Sequence, residues 1–152
     1  MQNHSLAELV PILQLAIGPV ILISGVGMLL LTFTNRFGRV VDRTRGLVRE
    51  LAAGPDAATA SLLRAQAEIL TRRAAILRLS ITLAAVAALL AGILILLLFL
   101  GALLELKVGG AVVLAFAAAV TSVIGALVAF IRDLNLALTA LRLDLRLAPP
   151  VR

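Results

Sequence analysis

The stretch LSITLAAVAALLAGILILLLFLGALL, residues 79–104, contains no charged side chain. A helix needs about 20 apolar residues, rising about 1.5 Å each, to cross the hydrocarbon core of a bilayer. Two further uncharged runs occupy about residues 10–34 and 108–131. The remainder of a 152-residue chain is too short to bury three such runs. They therefore predict three transmembrane helices and exclude a soluble globular domain.

The composition leads to the same class of protein. Hydrophobic residues make up 62% of the chain and charged residues only 14%, whereas soluble domains carry about 25% charged residues. The absence of cysteine excludes disulfides, thiolate metal sites and a cysteine nucleophile. No Lys or Arg precedes the first run, so we interpret it as a retained span and not as a cleaved signal peptide.

The basic residues predict an orientation. Nine arginines lie in residues 35–78 and four in residues 132–152, whereas the loop between the second and third runs has only Lys107. The positive-inside rule places the arginine-rich segments in the cytoplasm and the N-terminus outside, in the inner membrane of a bacterium. This orientation and anionic headgroups account for the net charge of +6. We expect no nucleic-acid binding, because no aromatic stacking residues accompany the arginines.

The cytoplasmic segments have helical periodicity. Apolar residues recur at steps of three and four over residues 37–51 and 62–77, and a break at residues 53–56 separates the two patterns. We therefore predict a helical hairpin over residues 35–78. A leucine-rich tail, residues 132–148, extends the third span; its alternation over residues 141–147 also fits a strand, although a helix is favoured by continuity. The predicted fold is all-α, with three transmembrane helices whose extensions form a cytoplasmic bundle.

Small residues and a proline mark the spans. Gly18-Pro19 lies inside the first run and predicts a static kink, with a hinge or a short interfacial helix as the alternatives. Ser24-Gly25 follows it, and Thr121 and Gly125 lie on a small-residue face of the third run. Such faces let helices approach closely in lipid. We interpret them as packing surfaces, and an oligomer contact or a narrow polar path is the alternative.

The segment after the first span carries the strongest local signal. Arg36, Arg39 and Arg43 form a basic ridge at headgroup depth. The ridge fits an anchor on anionic headgroups, an anion or phospholipid headgroup site, or the mouth of a pore if first spans cluster around an axis. Three residues are candidates for ion pairs that fix the orientation of this segment: Asp42, Arg45 and Asp133.

Reactive constellations are absent from the sequence. No charged residue lies within a span, which is unfavourable for a coupled transporter. The chain has no HExxH motif, no P-loop and no Ser/His/Asp set, and its single histidine precedes the first span. We therefore expect no catalytic residue, no metal site and no cofactor.

Three short stretches carry a family resemblance. The stretch Pro19-Val20-Ile21-Leu22-Ile23-Ser24-Gly25, followed by Thr34-Asn35-Arg36 and by Arg39-Val40-Val41-Asp42-Arg43, resembles a family of bacterial membrane proteins classed only as a domain of unknown function. The resemblance extends over most of the chain. It implies a small bacterial integral membrane protein with three spans, and it implies no reaction, ligand or catalytic residue.

The functional expectation follows from these features. Surplus apolar stripes and small-residue faces without reactive groups predict a non-enzymatic, homo-oligomeric scaffold or docking protein, for which a cytoplasmic protein is a further candidate partner. The alternative is an oligomeric anion channel in which the first span lines the pore. An enzyme is the third hypothesis, and it has no catalytic constellation to support it.

Overall fold

Three α-helices account for the structure. The computed structural model describes the backbone of residues 6–147 and the side chains of residues 10, 11 and 13–138. Helix α1 is Leu6–Ala52, α2 is Ala57–Leu103 and α3 is Gly109–Leu147, and no strand occurs within residues 6–147. Each helix is long and apolar enough to cross a membrane. The predicted all-α class with three transmembrane helices is therefore confirmed.

A tight turn joins α1 to α2. Gly54 has a φ of 75°, a left-handed conformation that glycine adopts without a steric penalty and that often ends a helix. The N–H of Ala53 donates to the carbonyl of Arg49 at 3.2 Å. Asp56 then caps α2, since its Oδ2 accepts the N–H of Thr59 at 3.2 Å. The hydroxyl and the N–H of Thr59 lower the pKa of the Asp56 carboxyl below its ordinary value of 3.8.

The turn between α2 and α3 is closed by a glycine. The N–H of Leu106 donates to the carbonyl of Gly101 at 2.9 Å, and Glu105 has a φ of 52°. Gly101 is buried, and a Cβ at this position would overlap the side chain of Val108. The chain therefore turns back against Gly101, where a larger residue would not fit.

Two segments with alternative predictions are helical throughout. Helix α1 runs through Pro11 and Pro19 without a break, so a separate interfacial helix before the first span is not observed. Helix α3 continues to Leu147, and the alternating segment 141–147 is therefore helix and not strand. The leucine side chains of that segment lie outside the described residues, as does the predicted end of the tail at residue 148.

Segments of all three helices pack into each of two compact units. Unit 1 comprises residues 6–31 with Thr82–Gly125, and unit 2 comprises Thr32–Ile81 with residues 126–147. In unit 1 the buried positions of α2 follow steps of three and four and are small or aliphatic. They are Ala84, Ala87, Ala91, Leu94 and Gly101.

Unit 2 buries larger side chains at the same spacing. Along α1, Phe33, Val40 and Leu47 lie seven residues apart and are at most 5% exposed. The seam of α2 continues with Leu77 and Ser80, and both are fully buried. Burial every seven residues is the periodicity of left-handed coiled-coil packing.

Candidate functional site

A buried carboxylate lies at the centre of unit 2. Asp133 on α3 is fully buried, and one arginine from each of the other two helices binds it. Arg36 donates from Nε to Oδ2 at 2.7 Å, and Arg73 donates from Nε to Oδ1 at 3.0 Å. A buried carboxylate is costly unless it is paired and hydrogen-bonded. These two charge-assisted bonds satisfy both oxygens and connect all three helices.

Two aromatic rings pack beside this ion-pair cluster. Phe33 lies three residues before Arg36, and Phe130 lies three residues before Asp133, so the rings meet on the same helix faces. The ring centroids are 4.6 Å apart with an interplanar angle of 34°. The Cζ atom of Arg36 lies 5.6 Å from the centroid of the Phe130 ring, within the range of a cation–π interaction. Arg36 is therefore held by a carboxylate and by an aromatic face.

A cavity with arginines on its walls opens between α1 and α2 next to this cluster. Its volume is about 270 Å³. Arg39 and Arg43 are exposed, and among the residues whose side chains are described neither has a carboxylate within ion-pair distance. No acidic residue lines the cavity within that part of the chain. We call it the arginine cavity; its walls are Arg36, Arg39, Val40, Arg43, Leu70 and Arg73.

The structure brings together most of the residues that the sequence singled out for this region. The predicted ridge of Arg36, Arg39 and Arg43 lines one cavity, and Arg36 also contacts Asp133. Asp42 is exposed and forms no ion pair with any residue whose side chain is described. Arg45 lies apart from the cluster, on a separate groove that Val48 and Thr71 also line.

The hydroxyl groups that would line the alternative polar path bond to their own helices. The Ser24 hydroxyl donates to the Val20 carbonyl at 3.2 Å, and the Thr121 hydroxyl donates to the Ala117 carbonyl at 2.8 Å. Ser122 does the same toward Ala118 at 2.8 Å. Bonds of this kind satisfy a hydroxyl group without a partner helix.

The marked glycines and proline have different environments. Pro19 is buried, and with Gly18 it lines an apolar cavity in unit 1. Gly25 is exposed, and a Cβ at Gly18 or Gly25 would meet no atom within 4 Å. At Gly125 a Cβ would lie 3.2 Å from Leu83 of α2, so Gly125 allows α2 and α3 to approach closely.

Arg73 is the residue of the cluster that sequence reasoning missed. The periodicity over residues 62–77 was defined by apolar residues alone, so it did not include Arg73. Arg73 nevertheless lies three residues after Leu70 and four before Leu77, and this spacing indicates an inward-facing position. An arginine at a seam position was thus the available signal for a buried acid on another helix.

These observations define a class of protein: a small all-helical membrane protein with three helices able to span a bilayer. Residues 16–143 match the family of proteins of unknown function DUF2721, and the chain belongs to this family. The resemblance to a family of unknown function is confirmed at that level. No curated protein and no solved structure matches the chain.

Proposed function

We propose that this protein is a non-enzymatic, homo-oligomeric scaffold of a bacterial inner membrane, with its arginine-rich helical ends available to cytoplasmic partners. The observation that carries the proposal is the exposed glycine face of α1. Glycine in a helix interior costs about 1 kcal/mol relative to alanine. Gly18 and Gly25 lie seven residues apart on one face of α1, and a Cβ at either would meet no atom of the same chain within 4 Å.

A second copy of the chain could pack against these glycines. Small residues allow helices to approach closely in lipid. Close packing matters there, because an apolar side chain that moves from lipid into a helix contact gains little hydrophobic free energy. Copies inserted with the same topology carry the same glycines at the same depth. A symmetric contact through α1 therefore needs no second kind of chain.

Exposed apolar residues in unit 2 support association as well. Val48 is 56% exposed, Leu62 is 62% exposed and Leu138 is 56% exposed. Ile69 follows Leu62 by seven residues and is also exposed, so the two share one face of α2. Outside the hydrocarbon core such side chains face water unless another surface covers them. A second copy presents the same side chains at the same height above the bilayer.

The non-enzymatic part of the proposal rests on how the polar groups are used. Asp133, the buried acid, is bonded through both oxygens to arginines of the other two helices, which gives it a structural role between the helices. The hydroxyls of Ser24, Thr121 and Ser122 donate to carbonyls of their own helices. Within residues 10–138, no three His, Cys, Asp or Glu side chains are grouped as metal ligands require.

The oligomer is tested by its mass in lipid nanodiscs. We expect the wild-type chain to form a defined oligomer and Gly25→Ile to dissociate it, because the larger side chain separates the α1 helices. Ala85→Ile is the matched control, since it adds a similar volume at an exposed position of α2. A monomeric wild type, or equal effects of the two substitutions, would contradict the proposal.

The orientation has a separate test. The native chain lacks cysteine, so single-cysteine variants report topology directly. We expect Lys107→Cys to react with an impermeant thiol reagent from outside intact cells and Arg64→Cys to react only after permeabilisation. External labelling of Arg64→Cys would reverse the proposed orientation without affecting the oligomer.

One observation favours the channel as a second candidate. Gly18, Gly25, Thr32 and Arg39 lie seven residues apart along α1 and therefore share one face. If these faces surround an axis, Arg39 forms a basic ring at the end of the path, which favours anions. We expect a channel to give anion flux into liposomes that falls in Arg39→Ala. An absence of flux, or flux unchanged in Arg39→Ala, would leave the scaffold.

A further inference from the structure

We propose that the arginine cavity of unit 2 is a binding site for a phosphate group, and that a phospholipid headgroup is its natural source. The inference does not depend on whether copies of the chain associate. It rests on four guanidinium groups around one small cavity, on the fixed position of two of them and on the location of the cavity along α1.

Asp133 acts as a positioning residue for the site. Its oxygens hold Arg36 and Arg73 through their Nε atoms, at 2.7 Å and 3.0 Å. A guanidinium group has five N–H donors, so four on the Nη atoms of each arginine remain for other acceptors. The two arginines are only 23% and 15% exposed. Their donors are therefore oriented before a ligand arrives, which lowers the entropic cost of binding.

The charge of the cavity is not balanced. Four arginines line it, and Asp133 is the only carboxylate that any of them contacts within the described residues. Arg39 and Arg43 lie one turn apart on α1 and face the cavity without an acidic partner in that part of the chain. Arginine is the side chain best suited to phosphate, because its planar donors match two oxygens at once.

Size and location select the kind of phosphate. The volume of about 270 Å³ is just below the range of about 300–1,000 Å³ typical of pockets for drug-sized ligands, so the cavity has room for a single headgroup. Arg36 follows the end of the uncharged run by two residues and Arg39 by five, or roughly 3 Å and 8 Å along the helix. The headgroup layer is about 5–8 Å thick on each side of the core. The end of the cavity formed by Arg36 and Arg39 therefore lies at the depth of lipid phosphates.

A simple basic ridge would behave differently from a site. In a ridge that only attracts an anionic surface, every exposed arginine at similar depth contributes about equally. In a site, only the arginines that line the cavity contribute to binding of the phosphate group. Arg72 provides this contrast: it is exposed, it adjoins Arg73 in sequence, and it does not line the cavity.

The experiment measures lipid retained by the purified full-length chain. Phosphatidylglycerol is titrated into the protein in neutral detergent, and the bound molecules are counted by native mass spectrometry. We expect Arg39→Gln and Arg43→Gln each to weaken binding about tenfold, the effect of losing one hydrogen bond to a charged group. Arg72→Gln is the matched control and should change binding less than about twofold, as exposed substitutions away from a contact do.

A competition arm distinguishes the sources of phosphate. Retention of phosphatidylglycerol in excess inorganic phosphate identifies the lipid headgroup as the ligand, whereas displacement by inorganic phosphate identifies a site for free phosphate. If all three substitutions weakened lipid binding equally, the arginines would act only as a basic surface, and the proposal would be overturned. Failure of the wild-type chain to retain either probe would overturn it as well.

Discussion

In both units the buried residues recur at helical steps along the chain, but the buried side chains differ in size. In unit 1 the buried seam of α2 consists largely of alanine, namely Ala84, Ala87 and Ala91, whereas unit 2 buries Phe33, Leu47 and Leu77. Lipid is as apolar as a leucine side chain, so helices in a bilayer gain from close approach and not from large buried groups. In water, burying a large apolar side chain contributes about 1.5–3 kcal/mol. The alanine seam of unit 1 therefore fits lipid surroundings, and Leu47 and Leu77 of unit 2, which lie outside the uncharged runs, fit water; Phe33 lies inside the first run and does not follow this rule.

The largest effect should come from breaking the ion-pair cluster of unit 2. We expect Arg36→Ala combined with Arg73→Ala to lower the free energy of unfolding by about 3–5 kcal/mol, because Asp133 is left buried and uncompensated. Thermal unfolding in detergent, followed by circular dichroism, measures this loss. Arg64→Ala combined with Arg72→Ala removes the same charge from exposed positions and should cost less than about 1 kcal/mol. Equal losses would show that the cluster does not stabilise unit 2.

The contrast in side-chain size can be tested by opposite substitutions. We expect Leu77→Ala in unit 2 to cost about 2–5 kcal/mol through the cavity that it creates. Ala87→Leu in unit 1 should cost about 1–3 kcal/mol, because no space exists for the added atoms. The same unfolding measurement applies to both.

Exposed positions provide the controls for this pair. Leu79→Ala and Ala85→Leu make the same changes at exposed sites of α2 and should each stay within about 0.5 kcal/mol of wild type. If Ala87→Leu were as harmless as Ala85→Leu, the alanine seam would not be a close-packed contact.

The smallest effect belongs to the turn between α1 and α2. Thr59 lowers the pKa of the Asp56 carboxyl, so the ionised cap stabilises the fold above the ordinary value of 3.8, and this contribution is lost as pH falls through the lowered pKa. We expect Asp56→Ala to lower the thermal midpoint slightly at neutral pH and to match wild type in strong acid. Asp42→Ala removes an exposed acid that forms no ion pair with a described side chain and is the control; a pH-independent difference at Asp56 would contradict the cap.

The helical class could be predicted because the uncharged runs and the helical periodicity each extend over many residues. The break at residues 53–56 was also predicted, because the apolar periodicity stops there and begins again at residue 62. Faces within the apolar runs were harder to assign. When nearly every residue is apolar, hydrophobicity cannot separate the buried Ala119 and Ala126 from the exposed Ala117 and Ala118.

The cluster around Asp133 was only partly readable for a different reason. Arg36 and Asp133 each follow the end of an uncharged run, and this common depth suggested that they could meet. Arg73 is adjacent to Arg72 in sequence, and composition does not distinguish them. Only the helical phase relative to Leu70 and Leu77 does so. A buried polar contact between helices requires each partner residue to face inward on its own helix. The hydrophobic pattern of one helix does not give the rotational position of residues on the others.

The position of Asp133 along the chain has a consequence for biogenesis. Both arginines are synthesised before the acid that joins them, and the acid belongs to the last helix to emerge. A nascent chain that stops after α2 leaves Arg36 and Arg73 without this carboxylate, and an α3 that fails to dock leaves a lone acid among apolar neighbours. The ion-pair cluster is thus complete only when the third helix has packed against the other two.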